Sequence, residues 1–267
     1  MDGFEGSPVL KDGKSLILAY DHGLEHGPKD FQENPESADP AHLFELAGHS
    51  AVTALAVQKG LAEKYSDSLG DETGLVLKLN GNSNLWSPED SYSPKNCSVG
   101  YAVEELGADA VGYTVYAGSD YEAEMFKDFR EVQEAAREYG VPVIMWAYPR
   151  GHGIEGSQEY GGSTDPEVIS YAARIGLELG ADMVKCKYPG TGIGWKKVEN
   201  VTGSMKTVMS GGSKKGDAEF LKNVYSALEN GGNGLAVGRN IFQRENPRPL
   251  LDKLEKVIFE GEKPEEV

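Results

Sequence analysis

Cysteine is scarce in this chain, with two residues, Cys97 and Cys186, among 267. Two thiols build no disulfide framework, so the fold must rest on its core. Histidine is nearly as rare, at five, which leaves few ways to assemble a metal centre. No apolar run approaches the ~18 residues of a membrane span, and the acidic opening Met1–Gly6 lacks an apolar signal region. The cytoplasm is therefore the expected location, with no membrane partner. Positive charge is also in deficit. Lys and Arg total 26 against 43 Asp and Glu, a formal net charge of -17. Nucleic acid is excluded as the main partner, because phosphate backbones need basic patches.

What the chain has in abundance is glycine, 34 residues, and a regular alternation of strand and helix patterns. Short runs, mostly apolar on both faces, occur at Ser15–Tyr20, Ala51–Val57, Leu75–Asn80, Ala110–Val115, Val141–Tyr148, Met183–Lys187, Lys206–Ser210 and Gly234–Gly238. Strands of that kind belong to parallel sheets covered on both sides. Helix signals lie between them. Asp39-Pro40 opens a helix over Ala41–Gly48. Ser119–Tyr139 carries Met125, Phe129, Val132 and Ala136 on one stripe and stops at Gly140. Thr164-Asp165-Pro166-Glu167 opens another helix ending at Gly180, and Asp217–Glu229 forms a last one. About eight such units predict a single TIM (β/α)8 barrel over 1–267, with the acidic tail 260–267 disordered.

A barrel carries its site at the C-terminal ends of its strands. Polar residues collect there: Asp21-His22, Gln58-Lys59, Lys78 with Asn80, Trp146 with Tyr148 and Arg150, Lys185 with Lys187, Ser210-Gly211-Gly212, and Gly238-Arg239. Lys185 and Lys187 share one strand face. Taken alone they read as surface charges on an edge strand, and the Trp146–Tyr148 pair as packing. Their convergence on one mouth argues for chemistry. A lysine desolvated there can attack a carbonyl and use the imine as an electron sink. A neighbouring cation lowers its pKa further, and Lys187 is the expected neighbour, so that Lys187→Met would shift the pH profile alkaline. Alternatively both lysines stay charged and bind an anion. The Ser210 and Gly238-Arg239 turns follow the last two strands, where barrels grip phosphate. Tyr148 could shuttle a proton if a cation lowers its pKa, and Asp21 could orient or balance the lysine. The Asp21-His22-Gly23-Leu24-Glu25-His26 run has metal-ligand composition. Its Gly23, Gly27 and Pro28 argue for a loop, which would separate the two histidines, so no metal is expected.

The runs Leu18–Pro28, Trp146–Gly151, Met183–Tyr188, Met209–Gly212 and Val237–Asn240, in this order over nearly the whole chain, resemble the archaeal-type class I fructose-1,6-bisphosphate aldolases. The stretches Asn34–Pro40 and Gln58–Tyr65 resemble that family as well. The resemblance implies a lyase that forms a Schiff base between Lys185 and dihydroxyacetone phosphate, without metal or other cofactor. It implies catalytic roles for Lys185, Tyr148, Asp21 and Trp146. Substrate contacts would fall on His22, His26, Asp30, Arg150, Cys186, Lys187, Ser210, Gly211, Gly212, Gly238 and Arg239. It also implies sugar phosphates as small-molecule partners, a place in glycolysis or gluconeogenesis, and a homo-oligomer, a decamer in the family.

Two segments depart from the family pattern, Gly151–Ser163 and Gly190–Trp195, and both are expected at the mouth. Two other readings compete. One is a related lysine-dependent enzyme making the aminodeoxyheptulosonate 2-amino-3,7-dideoxy-D-threo-hept-6-ulosonate for aromatic amino acids. The other is a phosphosugar-binding barrel without catalysis.

Overall fold

Eight parallel strands close into a barrel in chain order, β1 Ser15–Ala19, β2 Ala54–Gln58, β3 Gly74–Lys78, β4 Ala110–Ala117, β5 Val143–Pro149, β6 Met183–Lys187, β7 Lys206–Ser210 and β8 Gly234–Val237. The computed structural model describes residues 3–85 and 89–267. Closure is made by β8 on β1, with Ser15 opposite Gly234 and Leu18 opposite Val237. All eight strands fall where the apolar runs place them.

Strand parity divides the buried residues into two cores. Ile17, Ala54, Ala56, Val76, Ala110, Ile144, Met183, Val208 and Ala236 point inward and fill the lumen, with Phe4 and Val9 joining them. Leu16, Leu18, Leu55, Leu75, Leu77, Val111 and Val184 point outward, into the layer under the helices. Full burial of each large aliphatic side chain contributes roughly 1.5–3 kcal/mol before entropy is counted. The lumen mixes small alanines, Ala54, Ala56, Ala110 and Ala236, with the larger Ile17, Ile144 and Met183.

The helices are α1 His22–His26, α2 Pro40–Ala47, α3 Lys59–Tyr65, α4 Val99–Glu104, α5 Glu122–Tyr139, α6 His152–Glu155, α7 Pro166–Glu178, α8 Gly192–Thr202, α9 Asp217–Glu229, α10 Arg239–Phe242 and α11 Arg248–Glu255. Their starts follow capping chemistry. Asp39 Oδ1 accepts from Ala41 N at 3.0 Å, and Asp165 Oδ1 accepts from Glu167 N at 2.9 Å. Such caps contribute about 1 kcal/mol each. α5 ends as expected, with Gly140 left-handed at φ 71. It starts three residues later than its pattern suggests, because Ser119 and Asp120 are bonded into the loop by Ser91 O and Asp90 Oδ2.

Three expectations are corrected. The run after Asp21 is a helical turn, α1, and His22 and His26 stack with ring centroids 5.3 Å apart. The Gly190–Trp195 segment is mostly the start of α8, capped by Thr191 Oγ1 on Gly194 N at 3.0 Å, and Trp195 is buried in the outer core rather than at the mouth. The 260–267 tail turns back on the body. Glu262 N donates to Lys256 O at 3.1 Å, and Lys253 Nζ donates to Val267 O at 3.2 Å.

Candidate active site

One cavity of about 450 Å³ opens at the C-terminal ends of the strands. Its floor is built by inward positions one step above the lumen core. Lys78 from β3, Thr114 from β4, Trp146 and Tyr148 from β5, and Lys185 and Lys187 from β6 line it. Asp21 follows β1, and Ser210 ends β7. Trp146 fits because Gly112 lies under it. A Cβ on Gly112 would come within 2.5 Å of the indole ring.

Lys185 is 3% exposed, and its Nζ lies 4.9 Å from the Trp146 ring centroid. Burial lowers its pKa from the ordinary lysine value. Asp21 and Glu25 oppose that shift, and Arg239 adds to it. The cation that adds to the lowering is Arg239, where Lys187 is the expected neighbour. The Lys187 ammonium turns to Ser163 Oγ at 2.8 Å, and its own pKa is lowered by burial and by Arg150.

Asp21 is held below the usual carboxylate range. Burial pushes the other way, but Lys185, His22 and Lys78 together outweigh it. His22 is pushed down to about 4, chiefly by burial, so its imidazole is neutral at ordinary pH. Its Nδ1 is buried without a hydrogen bond among the described residues, though Asp21 Oδ1 lies 3.5 Å away. His26 Nδ1 meets Asp30 Oδ2 at 2.6 Å. Asp30 is buried behind His26 and does not line the cavity, so it orients the ring rather than facing a ligand.

Tyr148 departs from expectation in the direction of its shift. Burial, then Asp21 and Glu25, raise its pKa well above the ordinary phenol value, and Arg150 only partly offsets them. The phenol is therefore protonated in the resting site. Cys186 is also corrected. It alternates with Lys185 and Lys187, points outward into the core with Trp195 and Met209, and is absent from the cavity lining. Burial, followed by the nearby Glu199, raises its thiol pKa.

Two cationic ends flank the lysine. At one, Ser210, Gly211, Gly212 and Ser213 face Gly238 and Arg239. Both turns need glycine. A Cβ on Gly238 would lie 2.5 Å from Ala19 O, and one on Gly211 would lie 2.7 Å from Val237 Cγ2. Arg239 Nε is buried without a hydrogen-bond partner among the described residues. At the other end, Arg150 Nη1 donates to Glu25 Oε1 at 2.8 Å and the guanidinium stacks 4.6 Å over Tyr116. Lys187, with Ser163, stands beside it.

Cavity residues for which sequence reasoning named no role in the reaction are Lys78, Asn80, Thr114 and Glu25. Lys78 and Asn80 stood among the strand-end polar groups, and that was the available signal. Thr114 lies inside an apolar strand run and gave none. Asp90, Asp120 and His152 are the acidic and histidine group with metal-compatible spacing among the described residues, and none of them lines the cavity. The Asp90 carboxylate accepts instead from the backbone N–H groups of Ser91, Asp120 and His152. No helix among the described residues is long and apolar enough to cross a membrane.

A closed parallel barrel with a buried lysine at its mouth fits the class of lysine-dependent barrel aldolases. Residues 15–244 match the family model of the DeoC/LacD family aldolases, and the chain belongs to that family. It is 51% identical over 260 residues to the class 1 fructose-bisphosphate aldolase of Halobacterium salinarum, covering 97% of this chain and 96% of that protein. It is 44% identical over 252 residues to the class 1 enzyme of Thermoproteus tenax, covering 94% and 92%. Among solved structures it is similar to an archaeal fructose-1,6-bisphosphate aldolase whose catalytic lysine is covalently bound to the carbinolamine intermediate of its substrate. There the TM-score is 0.88 and the identity 41%, over 96% of this chain and 98% of that one.

Proposed function

We propose that this chain is a class I aldolase that cleaves fructose 1,6-bisphosphate reversibly to dihydroxyacetone phosphate and glyceraldehyde 3-phosphate. The observation that carries the proposal is the Lys185 amine, buried against Trp146 between two cationic ends of one cavity. The names of the relatives support the same substrate.

Lys185, its pKa lowered by burial, attacks the C2 carbonyl. Asp21, kept ionised, takes the proton that the amine loses and passes it to the C2 alkoxide, which becomes the carbinolamine hydroxyl. Tyr148 enters as a phenol and donates its proton to the carbinolamine hydroxyl, which leaves as water. The imine is cationic, so the phenolate now faces a positive charge that stabilises it. It takes the C4 hydroxyl proton as the C3–C4 bond breaks, and the electron pair passes into the imine to give the enamine. Tyr148 then returns the proton to C3, and hydrolysis frees Lys185. Trp146 fills the wall against the amine. His22, neutral and held near Asp21, contacts substrate, and His26 is oriented by Asp30. The Ser210-Gly211-Gly212 turn and Gly238-Arg239 hold the ketone-side phosphate. Arg150 and Lys187 meet the other. The imine is the electron sink, so the proposed reaction calls for no metal. The same reading places the enzyme in the cytoplasm as a homo-oligomer, which sizing at working concentration checks.

Borohydride reduction with fructose 1,6-bisphosphate tests the assignment. The mapped adduct is expected on Lys185. An adduct that persists in Lys185→Ala overturns it. Turnover of heptulosonate precursors in place of the bisphosphate would support the competing aminodeoxyheptulosonate reading, and tight binding without turnover would support the non-catalytic one.

A further inference from the structure

The site holds two buried lysines, and the proposed reaction uses one as nucleophile. Both ammonium groups lie against Trp146, Lys185 Nζ at 4.9 Å and Lys78 Nζ at 5.3 Å from the ring centroid. They differ in how they are held. Lys78 Nζ donates to Thr114 Oγ1 at 2.7 Å, Asn80 Oδ1 at 3.0 Å and Asn80 O at 3.3 Å. An ammonium has three N–H donors, so this cage occupies all of them. Lys185 Nζ has no such acceptor among the described residues. It meets the Trp146 ring and the fields of Asp21, Glu25 and Arg239.

The cage is rigid. Asn80 is fully buried. Its Oδ1 also accepts from Thr114 N at 2.7 Å, and its Nδ2 donates to Ser93 O at 2.9 Å and Thr114 O at 2.8 Å. Gln58 Nε2 donates to Asn80 O at 3.0 Å. Thr114 stands beside Trp146 in the β4–β5 register. The amine of β3 is thus held by Thr114 of β4 and by Asn80 of the loop after β3, whose carbonyl Gln58 of β2 fixes in turn. Acceptors around an ammonium favour its charged form, and a nucleophile must give up a proton.

We propose that Thr114 and Asn80 are positioning residues that lock Lys78 as a fixed positive charge and so reserve imine formation for Lys185. This rests on the Schiff-base reading above. The charged groups that face Lys78 are Asp21 after β1 and Glu25 on α1, which favour its charge, and Lys185 on β6, which opposes it. Burial is the largest influence and pulls Lys78 down to about 8. The cage works against that pull.

Thr114→Val keeps the shape and removes Oγ1, while Thr114→Ser keeps the oxygen and loses a methyl group. A purely packing role makes valine the better tolerated change. Positioning reverses the order: valine lowers kcat/KM about 10-fold, the worth of one lost bond to a charged group, and serine restores most of it. The titration of Lys78, followed by NMR of lysine-labelled enzyme without substrate, moves down by about one pH unit in Thr114→Val and stays in place in Thr114→Ser. The proposal is overturned if valine keeps both kcat/KM and the Lys78 titration, or if serine and valine lose activity alike. Failure to trap wild-type enzyme at Lys185 sinks the Schiff-base reading instead, and the NMR titration still decides whether the cage holds the charge.

Discussion

Arg150 Nη1 donates to Glu25 Oε1 at 2.8 Å, across 125 residues of sequence, and so ties the end of β5 to α1 at the cavity rim. The two cationic ends of the cavity are therefore unequal. Arg239 Nε has no hydrogen-bond partner among the described residues, whereas Arg150 is already partly neutralised. Arg150→Ala should raise KM for the bisphosphate about 10- to 100-fold with a smaller change in kcat. Glu25→Gln should alter KM much less, because the pair is partly exposed. Steady-state kinetics on both variants decides. Equal KM values for Arg150→Ala and wild type would remove Arg150 from substrate binding.

Tyr148 is a phenol whose pKa is raised by burial and by Asp21 and Glu25. Tyr148→Phe should cut kcat by about 10²- to 10⁴-fold, while borohydride still traps an adduct on Lys185 at a reduced rate. No limb of the wild-type profile near neutrality should belong to a phenol. A Tyr148→Phe enzyme with wild-type kcat would end its role in proton transfer.

Lys187 donates to Ser163 Oγ, and the cation that adds to the lowering of the Lys185 pKa is Arg239. Lys187→Met should raise KM and leave the alkaline limb of kcat/KM where it is in wild type. An alkaline shift would restore Lys187 as the cation that depresses Lys185. Arg239 is the nearby cation that the structure offers for that part.

His22 has a folded pKa of about 4 against an ordinary 6.5. Between those values the unfolded chain binds a proton that the folded chain does not. Stability therefore falls as pH drops from about 6.5 towards 4, by on the order of 3 kcal/mol at the lower limit. Urea melts at pH 7 and 4.5 should show the loss, and His22→Asn should lack most of it. An unchanged pH dependence in the variant would place the titration elsewhere.

Strand parity made most of this architecture readable in advance. The eight strands follow from apolar runs alternating with helix patterns, and the inward placing of Lys185, Lys187, Trp146 and Tyr148 from a period of two. The same rule excludes Cys186 from the cavity, since it lies one residue from Lys185 and so on the other face. Helices α1 and α8 were hidden by glycine. Gly23, Gly190 and Gly192 read as loop, yet Thr191 caps one helix and the other is a single turn. Which cation depresses Lys185 was not readable. Lys187, the neighbour along the chain, is bonded to Ser163, while Arg239 comes from the end of β8, two strands away. Thr114 carries no mark in an apolar strand, because its importance lies in what Lys78 needs from the adjoining strand.

The pairing of Ser15 with Gly234 has a bearing on how the protein is made. During synthesis β1 leaves the ribosome well before its partner β8, since the other six strands lie between them. Until then β1 presents an open hydrogen-bonding edge, and Asp21 and His22 have no Arg239 turn to face. The nascent chain stays without a complete site, and with a sheet edge to be shielded, until β8 has been made.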